Sequence, residues 1–464
     1  MKGALLPRLL LINPSNPLVN MARTSRSRLS RRYRVWKPLG LMVLAGLTSD
    51  DWDISIVDEN LGAPDYELLP RPDLVGLTAF TSQAPRAYAL AARFRGLGVP
   101  VVMGGVHASM CQQEAGAHVN ALVTGEAEGI WATVLADARR GHLEPLYEGG
   151  RADLSQASLV RHDLLPSSYA FGAIQTTRGC PLRCHFCSVT AFNGARYRER
   201  PVSDVVREFR LIRERLVFVV DDNLIGTTAA QLSRAKELFR AMAAAELGKH
   251  WIAQTTVNFA DDEELLQLAA QAGCIGVYIG FESPTAEGLA EIGKRFNLRE
   301  GRDLAASVRR IQRHRIMVVG SFMIGLGVDQ AGAGRRVAEA AVRYGIDNLN
   351  ASFLTPLPGT RLWEEMSREG RLPLNRFPED WKYYTLTYPV ARYEHLALGE
   401  AIEEMGICNR TFYSPRHLLG RMTQNVRGAR HPLFNLVNNL SSRRNSRLLR
   451  KACADSRREE GGRF

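Results

Sequence analysis

Short apolar runs alternate with amphipathic stretches over the first third of the chain. The runs have the length of buried strands, and the stretches between them repeat apolar residues at the period of a helix that packs on a sheet. The predicted strands are residues 9–13, 54–58, 74–80, 99–105 and 120–126, and the predicted helices are residues 39–47, 85–94, 109–115 and 126–139. This alternation predicts an α/β domain with a doubly wound parallel sheet of five strands, flavodoxin-like or Rossmann-like.

A second alternation follows a stretch that is rich in Gly, Ser, Asp and Pro. Its predicted strands are residues 173–177, 216–221, 251–256, 275–281, 317–324 and 347–354, and its predicted helices are residues 202–214, 229–245, 262–272, 299–313 and 331–344. Six strand–helix units predict a partial (β/α)6 barrel. The sequence then becomes aromatic and helical, and we expect that segment to cap the barrel. The expected units are a first domain (1–145), a linker (146–168), the barrel (169–360) and a C-terminal helical cap with a basic tail (361–464).

Composition excludes several classes of protein. The chain has 464 residues, of which 45% are hydrophobic and 23% are charged, as in ordinary globular proteins. No apolar run reaches about 18 residues, the length that spans a bilayer, and the apolar start lacks a convincing signal-peptide cleavage site. We therefore expect a folded protein of the cytoplasm, where thiols stay reduced.

The formal net charge of +12 favours contact with anions. Much of the excess lies in Arg23–Arg34 and in the tail Ser441–Phe464. Two interpretations stay open: a solvated loop with a frayed terminus, or segments that attract nucleic acid, phosphate-bearing cofactors or an anionic membrane surface. Of these partners we do not expect nucleic acid, and the tail is the segment that would make peripheral contact with a membrane.

Three of the seven cysteines form one motif. Cys180, Cys184 and Cys187 have the spacing C-x3-C-x2-C directly after a predicted strand. Three thiolates in one loop can hold three irons of a 4Fe-4S cubane and leave the fourth iron open. Structural zinc is the alternative, but zinc normally takes four ligands in two separated pairs. The other cysteines are expected to be ordinary core or surface residues.

Residues suited to ligand binding follow the strands of both predicted domains, where parallel sheets place their ligands. In the barrel these residues are Asp221, Asp222, Asn223, Gln254, Glu282, Ser283 and Gly325. In the first domain they are Thr78, Ser82, Gly104, Gly105, His107, Gly125 and Glu126. Turn formation remains an alternative for the glycine pair and for the acidic pair, since both are common in turns.

The cysteine loop, with the aromatic Phe186 before its last cysteine, resembles the radical S-adenosylmethionine (SAM) superfamily. The resemblance implies that SAM binds the open iron and yields a 5′-deoxyadenosyl radical. It also implies that Phe186 flanks the adenine, that Glu282 in IGFES bonds the ribose, and that Asp221–Asn223 accept from the methionine ammonium. The match of Gly325 to the segment under the adenine is looser, and Gln254 and Ser283 complete the expected SAM contacts.

The order of the two domains resembles the cobalamin-binding subclass of that superfamily. The segments that carry the likeness are LLLINPSNP, WKPLGLMVLAGL, IVDEN, GGVHAS, TGEAEG and LTPLPGTRLWEEM. The resemblance implies that the seven strand-end residues of the first domain contact cobalamin. The D-x-H-x-x-G motif is absent, so we expect no histidine from it on cobalt. A scaffold that has lost its ligand is the alternative.

The resemblance implies C-methylation of an unactivated carbon of a small-molecule or lipid-like substrate, with electrons from an external donor such as flavodoxin or ferredoxin. Cyclisation, ring contraction or oxidation without methyl transfer is an alternative within the same subclass. A basic RNA-modifying or RNA-binding protein is an alternative of another class. Methylthiotransferases, which modify RNA, have three N-terminal cysteines for a second cluster, whereas only Cys111 precedes the loop here.

Overall fold

The computed structural model describes residues 6–18, 35–156, 160–165 and 168–459. The basic stretch Arg23–Arg34 and residues 460–464 of the tail lie outside the described residues. Within these ranges, no helix combines the length and the apolar composition that crossing a bilayer requires.

The first domain contains a six-stranded parallel sheet in the order β2-β1-β3-β4-β5-β6. Its strands are β1 (Arg8–Asn13), β2 (Asp53–Asp58), β3 (Leu74–Thr78), β4 (Val101–Gly104), β5 (Ala121–Thr124) and β6 (Leu146–Glu148). The predicted parallel α/β sheet is confirmed, but the count of five strands was one too low. The missed strand β6 is three residues long and buries only Tyr147, so it leaves no apolar run in the sequence.

Helices cover both faces of this sheet, as a doubly wound fold requires. They are α1 (Leu39–Leu47), α2 (Ala84–Gly96), α3 (Val106–Met110), α4 (Gln112–His118) and α5 (Trp131–Arg140). Alternate residues of β1 enter two different cores, because successive side chains of a strand point to opposite faces. Leu9 and Leu11 pack with α1 and α5, and Leu10 and Ile12 pack with α2.

The second sheet is the partial barrel, with six parallel strands in the order β14-β13-β12-β11-β10-β7. The strands are β7 (Phe171–Ile174), β10 (Leu216–Val219), β11 (His250–Thr255), β12 (Cys274–Glu282), β13 (Met317–Ile324) and β14 (Asn348–Phe353). A short antiparallel ribbon of β8 (Thr177–Arg178) and β9 (Arg198–Glu199) brackets the cysteine loop. Because Ile174 pairs with Val219, the cysteine loop and residues 220–223 leave the sheet at the same edge.

Amphipathic helices cover the outside of the barrel. They are α7 (Val202–Leu211), α8 (Ala229–Ala244), α9 (Glu263–Gln271), α10 (Ala286–Glu291), α11 (Leu304–Arg313) and α12 (Ala333–Tyr344), whereas the short helix α6 (Ser188–Asn193) follows the cysteine loop and has no buried residue. Their buried faces and the outward faces of the strands form the largest core of the described chain, which includes Phe209, Phe239, Trp251 and Phe281. The start of α8 is set by a capping box between Thr228 and Gln231.

The C-terminal segment contains α13 (Arg361–Arg368), α14 (Leu398–Phe412), α15 (Pro415–Arg427) and α16 (Pro432–Glu459). The expectation that its aromatic residues cap the barrel was wrong for part of the segment. Trp381, Tyr384 and Tyr388 are buried in the core beneath α2 of the first domain, where Trp381 donates to the Glu114 carboxylate. Aromatic composition predicts burial but not the apolar face that the rings cover.

Candidate functional site

The three cysteines of the loop are half-buried free thiols between β8 and β9. Burial raises the pKa of all three, in the case of Cys184 to about 12. The Cys180 thiol also raises the pKa of Cys184 and of Cys187, and the Cys187 thiol raises the pKa of Cys184, so the three lie close to one another. The positive charge of Lys294 lowers all three pKa values and thus favours the thiolate form that binds iron.

The donor set of the loop fits a cluster with three cysteine ligands. Among the described residues, no group of three or more His, Cys, Asp and Glu side chains forms a ligand set for a metal ion. The ligands of a cubane bind different irons, so they are spread more widely than the ligands of one ion. Asn223 adds to the fit, since its buried Nδ2 lies near enough to Cys180 to lower the pKa of that thiol and makes no other hydrogen bond among the described residues.

Lys294 and Glu282 form a buried ion pair beside the cysteine loop. Lys294 Nζ lies 2.6 Å from Glu282 Oε1, and both residues are less than a tenth exposed. Glu282 follows a register shift in β12 and has a φ of +64°, a costly backbone for a residue with a Cβ. At Gly280, a Cβ would overlap both Glu282 Oε1 and Lys294 Nζ. Sequence reasoning missed Lys294, because a single lysine after a short helix carries no motif.

The acidic pair after β10 holds the protein's own backbone. Asp221 is fully buried and accepts from Thr176 N at 2.6 Å and from Thr177 Oγ1 at 3.0 Å. Burial raises the pKa of Asp221 to about 6, although these hydrogen bonds act to lower it. The structure therefore corrects the expectation that Asp221 accepts from the SAM ammonium, because its carboxylate is enclosed. Asp222 accepts from Gly179 N at 2.7 Å and so fixes the backbone next to Cys180.

The other residues expected to contact SAM lie in different surroundings. Phe186 packs on the edge of the barrel core, and Gln254 is exposed in β11. Ser283 accepts from Thr285 N at 3.2 Å, so its hydroxyl serves the start of α10. Gly325 has a φ of +106°, and a Cβ there would overlap the Tyr393 ring. The structure thus brings Glu282 and Asn223 to the cysteine loop and gives Ser283 and Gly325 local structural contacts.

A cavity of about 690 Å³ lies between the first domain and the barrel. Five of the seven expected cobalamin contacts line it: Thr78, Gly104, Gly105, Gly125 and Glu126. The volume is in the range of cofactor sites. Gly105 has a φ of +89°, and a Cβ there would lie 2.6 Å from Thr78 Oγ1. A glycine is therefore needed at this turn, because a side chain would displace Thr78 in the cavity wall.

Ser82 and His107 do not line this cavity. His107 is fully buried on the α2 side of the sheet, with its Nε2 2.8 Å from the hydroxyl of Tyr88. The backbone carbonyl of Ser82 accepts from Asn16 Nδ2 at 2.9 Å. Both residues follow strand ends, but a position after a strand does not determine the face to which its side chain turns. The structure corrects the expectation that these two residues contact cobalamin.

Glu126 connects the two domains. Arg178 NH1 lies 2.7 Å from Glu126 Oε2, Arg198 binds both carboxylate oxygens, and Ala152 N donates at 2.8 Å. Burial acts to raise the pKa of Glu126, but the hydrogen bond from Arg198 and the charge of Arg178 outweigh it, so the pKa is lowered. The carboxylate thus lines the cavity while the barrel holds its oxygens. Sequence reasoning missed Arg178 as a partner of Glu126.

The segment before α1 closes the cavity on another side. Trp36 packs on Phe171 and Phe218 of the barrel, with ring centroids 5.0 and 4.6 Å apart. Lys37 Nζ forms a buried ion pair with Glu214 Oε1 at 2.7 Å. This part of the WKPLGLMVLAGL segment therefore joins the first domain to the barrel.

The cavity and the cysteine loop share a wall. Ser188 and Val189, directly after Cys187, line the cavity. Asp222 also lines it while its carboxylate holds the backbone before Cys180. A group in the cavity would therefore lie next to a cluster on the loop.

Comparisons with known proteins match both parts of this site. The sequence-family model of the radical SAM superfamily matches residues 174–331, and that of the B12 binding domain matches residues 27–135. The bacteriochlorophyllide d C-12(1)-methyltransferase of Chlorobaculum tepidum is 28% identical over 83% of this chain and 84% of that protein. The hopanoid C-2 methylase of Rhodopseudomonas palustris is 28% identical over 72% of this chain and 65% of that protein.

Among solved structures, the fold is similar to that of the cobalamin-dependent S-adenosylmethionine radical enzyme OxsB with aqua-cobalamin bound. The TM-score is 0.67 at 14% identity, over 98% of this chain and 75% of that one. The cysteine loop lies within the first matched range and the five cavity residues lie within the second.

Proposed function

This chain belongs to the cobalamin-binding radical SAM enzymes, and from that premise we propose that it methylates an unactivated carbon of a small-molecule or lipid-like substrate. It is a methyltransferase-type enzyme that uses a 4Fe-4S cluster, SAM and cobalamin. When bound, the cluster and SAM supply the radical that removes hydrogen from the substrate carbon, and cobalamin supplies the methyl group.

The shared wall of the cysteine loop and the cavity carries this proposal. Asp222 orients the loop through Gly179 N, and the residues after Cys187 form part of the cavity wall. Radical removal of hydrogen and delivery of a methyl group must act on the same carbon, so two adjacent sites fit this reaction. Trp36 and Phe218 place apolar surface beside the cavity, which excludes water from reactive species.

The chain's own residues have distinct roles in the proposal. Cys180, Cys184 and Cys187 hold the cluster, and Lys294 stabilises their thiolate forms. Glu282 would contact the SAM ribose from the strand end, and the glycines of the cavity would let a corrin ring approach the backbone closely. An external one-electron donor such as flavodoxin or ferredoxin would supply the electron that the cluster needs.

The names of the two relatives support a carbon of a tetrapyrrole or a polycyclic lipid as the acceptor. The test uses anaerobically reconstituted enzyme, SAM with a deuterated methyl group, and two probes, bacteriochlorophyllide d and a hopanoid. We expect a product that gains one labelled methyl group, with one S-adenosylhomocysteine and one 5′-deoxyadenosine formed per product. Cys184→Ala is the matched control; it should bind cobalamin but form no labelled product.

A product that forms without the labelled methyl group would contradict methylation and favour cyclisation, ring contraction or oxidation. Another relative, the anaerobic magnesium-protoporphyrin IX monomethyl ester cyclase of Synechocystis, is 22% identical over 82% of this chain. This likeness supports cyclisation as the second candidate function. Mass spectrometry of the product distinguishes the two outcomes, because only methylation adds the deuterated methyl group.

A further inference from the structure

The helices α15 and α16 carry apolar side chains on their outward side. Leu419 and Val426 of α15 are 70% and 63% exposed, and Leu433 and Val437 of α16 are 74% and 55% exposed. Isolated exposed leucines are ordinary, but these lie on two successive helices. We call the outward side of α15 and α16 the hairpin face.

The spacing along α16 separates its two sides. Leu433, Val437 and Leu440 follow one another at intervals of four and three residues, which places them on one side of a helix. The opposite side is buried against the barrel. There Asn439 is fully buried and its Nδ2 donates to Asp347 O at 3.0 Å. The helix is therefore anchored on one side and exposes an apolar row on the other.

The charge of this region is predominantly positive. Residues 415–459 contain eleven basic residues and two acidic residues, Asp455 and Glu459, and both acidic residues lie in the last turns of α16. Two of the basic residues are buried. Arg421 packs over the Phe412 ring, and Arg430 donates a hydrogen bond to the side chain of Asn425.

The other basic residues include Arg444, Arg447 and Lys451, which are exposed. Their intervals of three and four residues continue the apolar row toward the end of α16. Within the described part of the chain, none of these three forms an ion pair with a carboxylate of its own protein. The hairpin face therefore combines apolar side chains with unneutralised positive charge.

The position of this face leaves the reaction site free. Phe434, in the first turn of α16, packs against Phe171 and Ile275, which lie at the starts of β7 and β12. The cysteine loop and the cavity lie beyond the opposite ends of the strands. A partner on the hairpin face would therefore lie below the bottom of the barrel without covering the cavity.

We propose that the hairpin face docks peripherally on an anionic lipid bilayer. Exposed leucines and valines suit the boundary between headgroups and acyl chains, and arginines on the same side suit anionic headgroups. A second copy of the chain is disfavoured as the occupant, because the two faces would bring like charges together. A nucleic acid would use the arginines but leave the apolar row without a role.

The test is flotation of the full-length protein with vesicles of phosphatidylglycerol and phosphatidylcholine, compared with vesicles of phosphatidylcholine alone. We expect binding to the anionic vesicles only, weakened by added salt. Arg444→Gln/Arg447→Gln should weaken binding about 25-fold, because each basic residue near an anionic surface contributes a factor of about five. Leu433→Ser/Val437→Ser should weaken it about tenfold, since two inserted side chains lose apolar area.

The matched control is Arg335→Gln/Arg343→Gln on α12, which removes two exposed arginines outside the hairpin face. This variant should bind the vesicles like the wild type, and all variants should keep the wild-type circular dichroism. Equal binding by the control and the Arg444 variant would overturn the proposal, as would failure of the wild type to bind anionic vesicles. A dimer in solution that Leu433→Ser/Val437→Ser abolishes would overturn it too, because a second copy would then occupy the face. Vesicle binding needs no turnover, so it is independent of the proposed methylation.

Discussion

Glu126 holds the two domains together through a buried carboxylate, and Glu126→Gln should therefore cost stability. The substitution removes the charge that faces Arg178 and Arg198 and leaves these guanidinium groups buried with less compensation. Breaking a buried pair by removing one partner costs about 3–5 kcal/mol. In the variant, Arg178 keeps its second partner Glu128 at 2.8 Å, and the amide of the introduced glutamine still has one oxygen that accepts hydrogen bonds. We therefore expect a loss at the lower end of this range, about 3 kcal/mol.

The assay is urea denaturation of the apoprotein, followed by tryptophan fluorescence. Glu128→Gln is the matched control: its side chain is more exposed than that of Glu126 and has one ion pair, so its cost should stay below about 1 kcal/mol. In a double-mutant cycle, Glu126→Gln and Arg198→Gln should be non-additive. Equal costs for the two glutamine variants, or additivity in the cycle, would refute the reasoning.

The pH dependence of this difference follows from the lowered pKa of Glu126. A carboxyl group whose pKa is lower in the folded state stabilises the protein above its unfolded pKa, near the ordinary value of 4.5. That contribution is lost as the pH falls through the folded pKa. The gap between wild type and Glu126→Gln should therefore be constant near neutral pH and shrink below about pH 4.5. A gap that widens on acidification would contradict the assigned direction of the shift.

Three further predictions concern single residues in or near the site. Gly280→Ala should weaken SAM binding, measured by equilibrium dialysis, because the added Cβ displaces the Glu282 carboxylate; Gly276→Ala, where a Cβ meets its nearest neighbour at 3.4 Å, should bind normally. His107→Ala should lower the free energy of unfolding by about 2 kcal/mol, because it removes a buried hydrogen bond to Tyr88. Titration with hydroxocobalamin should give the wild-type affinity. A loss of cobalamin affinity would show that His107 contacts the corrin. Because burial raises the pKa of Asp221 to about 6, the wild type should lose stability relative to Asp221→Asn as the pH rises from 4 to 6, and a difference that does not vary over this range would contradict the assignment.

Much of the fold could be predicted from the sequence because its signals are local. The predicted helix 39–47 and the predicted strand 317–324 have the same bounds in the structure, since each is a clear periodic or apolar segment between breakers. The parallel sheets followed from the strict alternation of strands and helices. The cysteine motif was equally accessible, because its three residues lie within eight positions of the chain. The short strand β6 was not, since one buried residue makes no pattern.

The partners of the site residues were decided by the tertiary structure alone. Glu126 and Arg198 are 72 residues apart, and only the packing of the two domains brings them together. Lys294 reaches the cysteines from the segment after α10, and Asp221 is enclosed by two threonines before the cysteine loop. The sequence by itself determined which residues follow the strands and which metal chemistry the cysteines can support. It could not determine where those side chains point, because that depends on which apolar faces meet, and many pairs of faces are equally apolar.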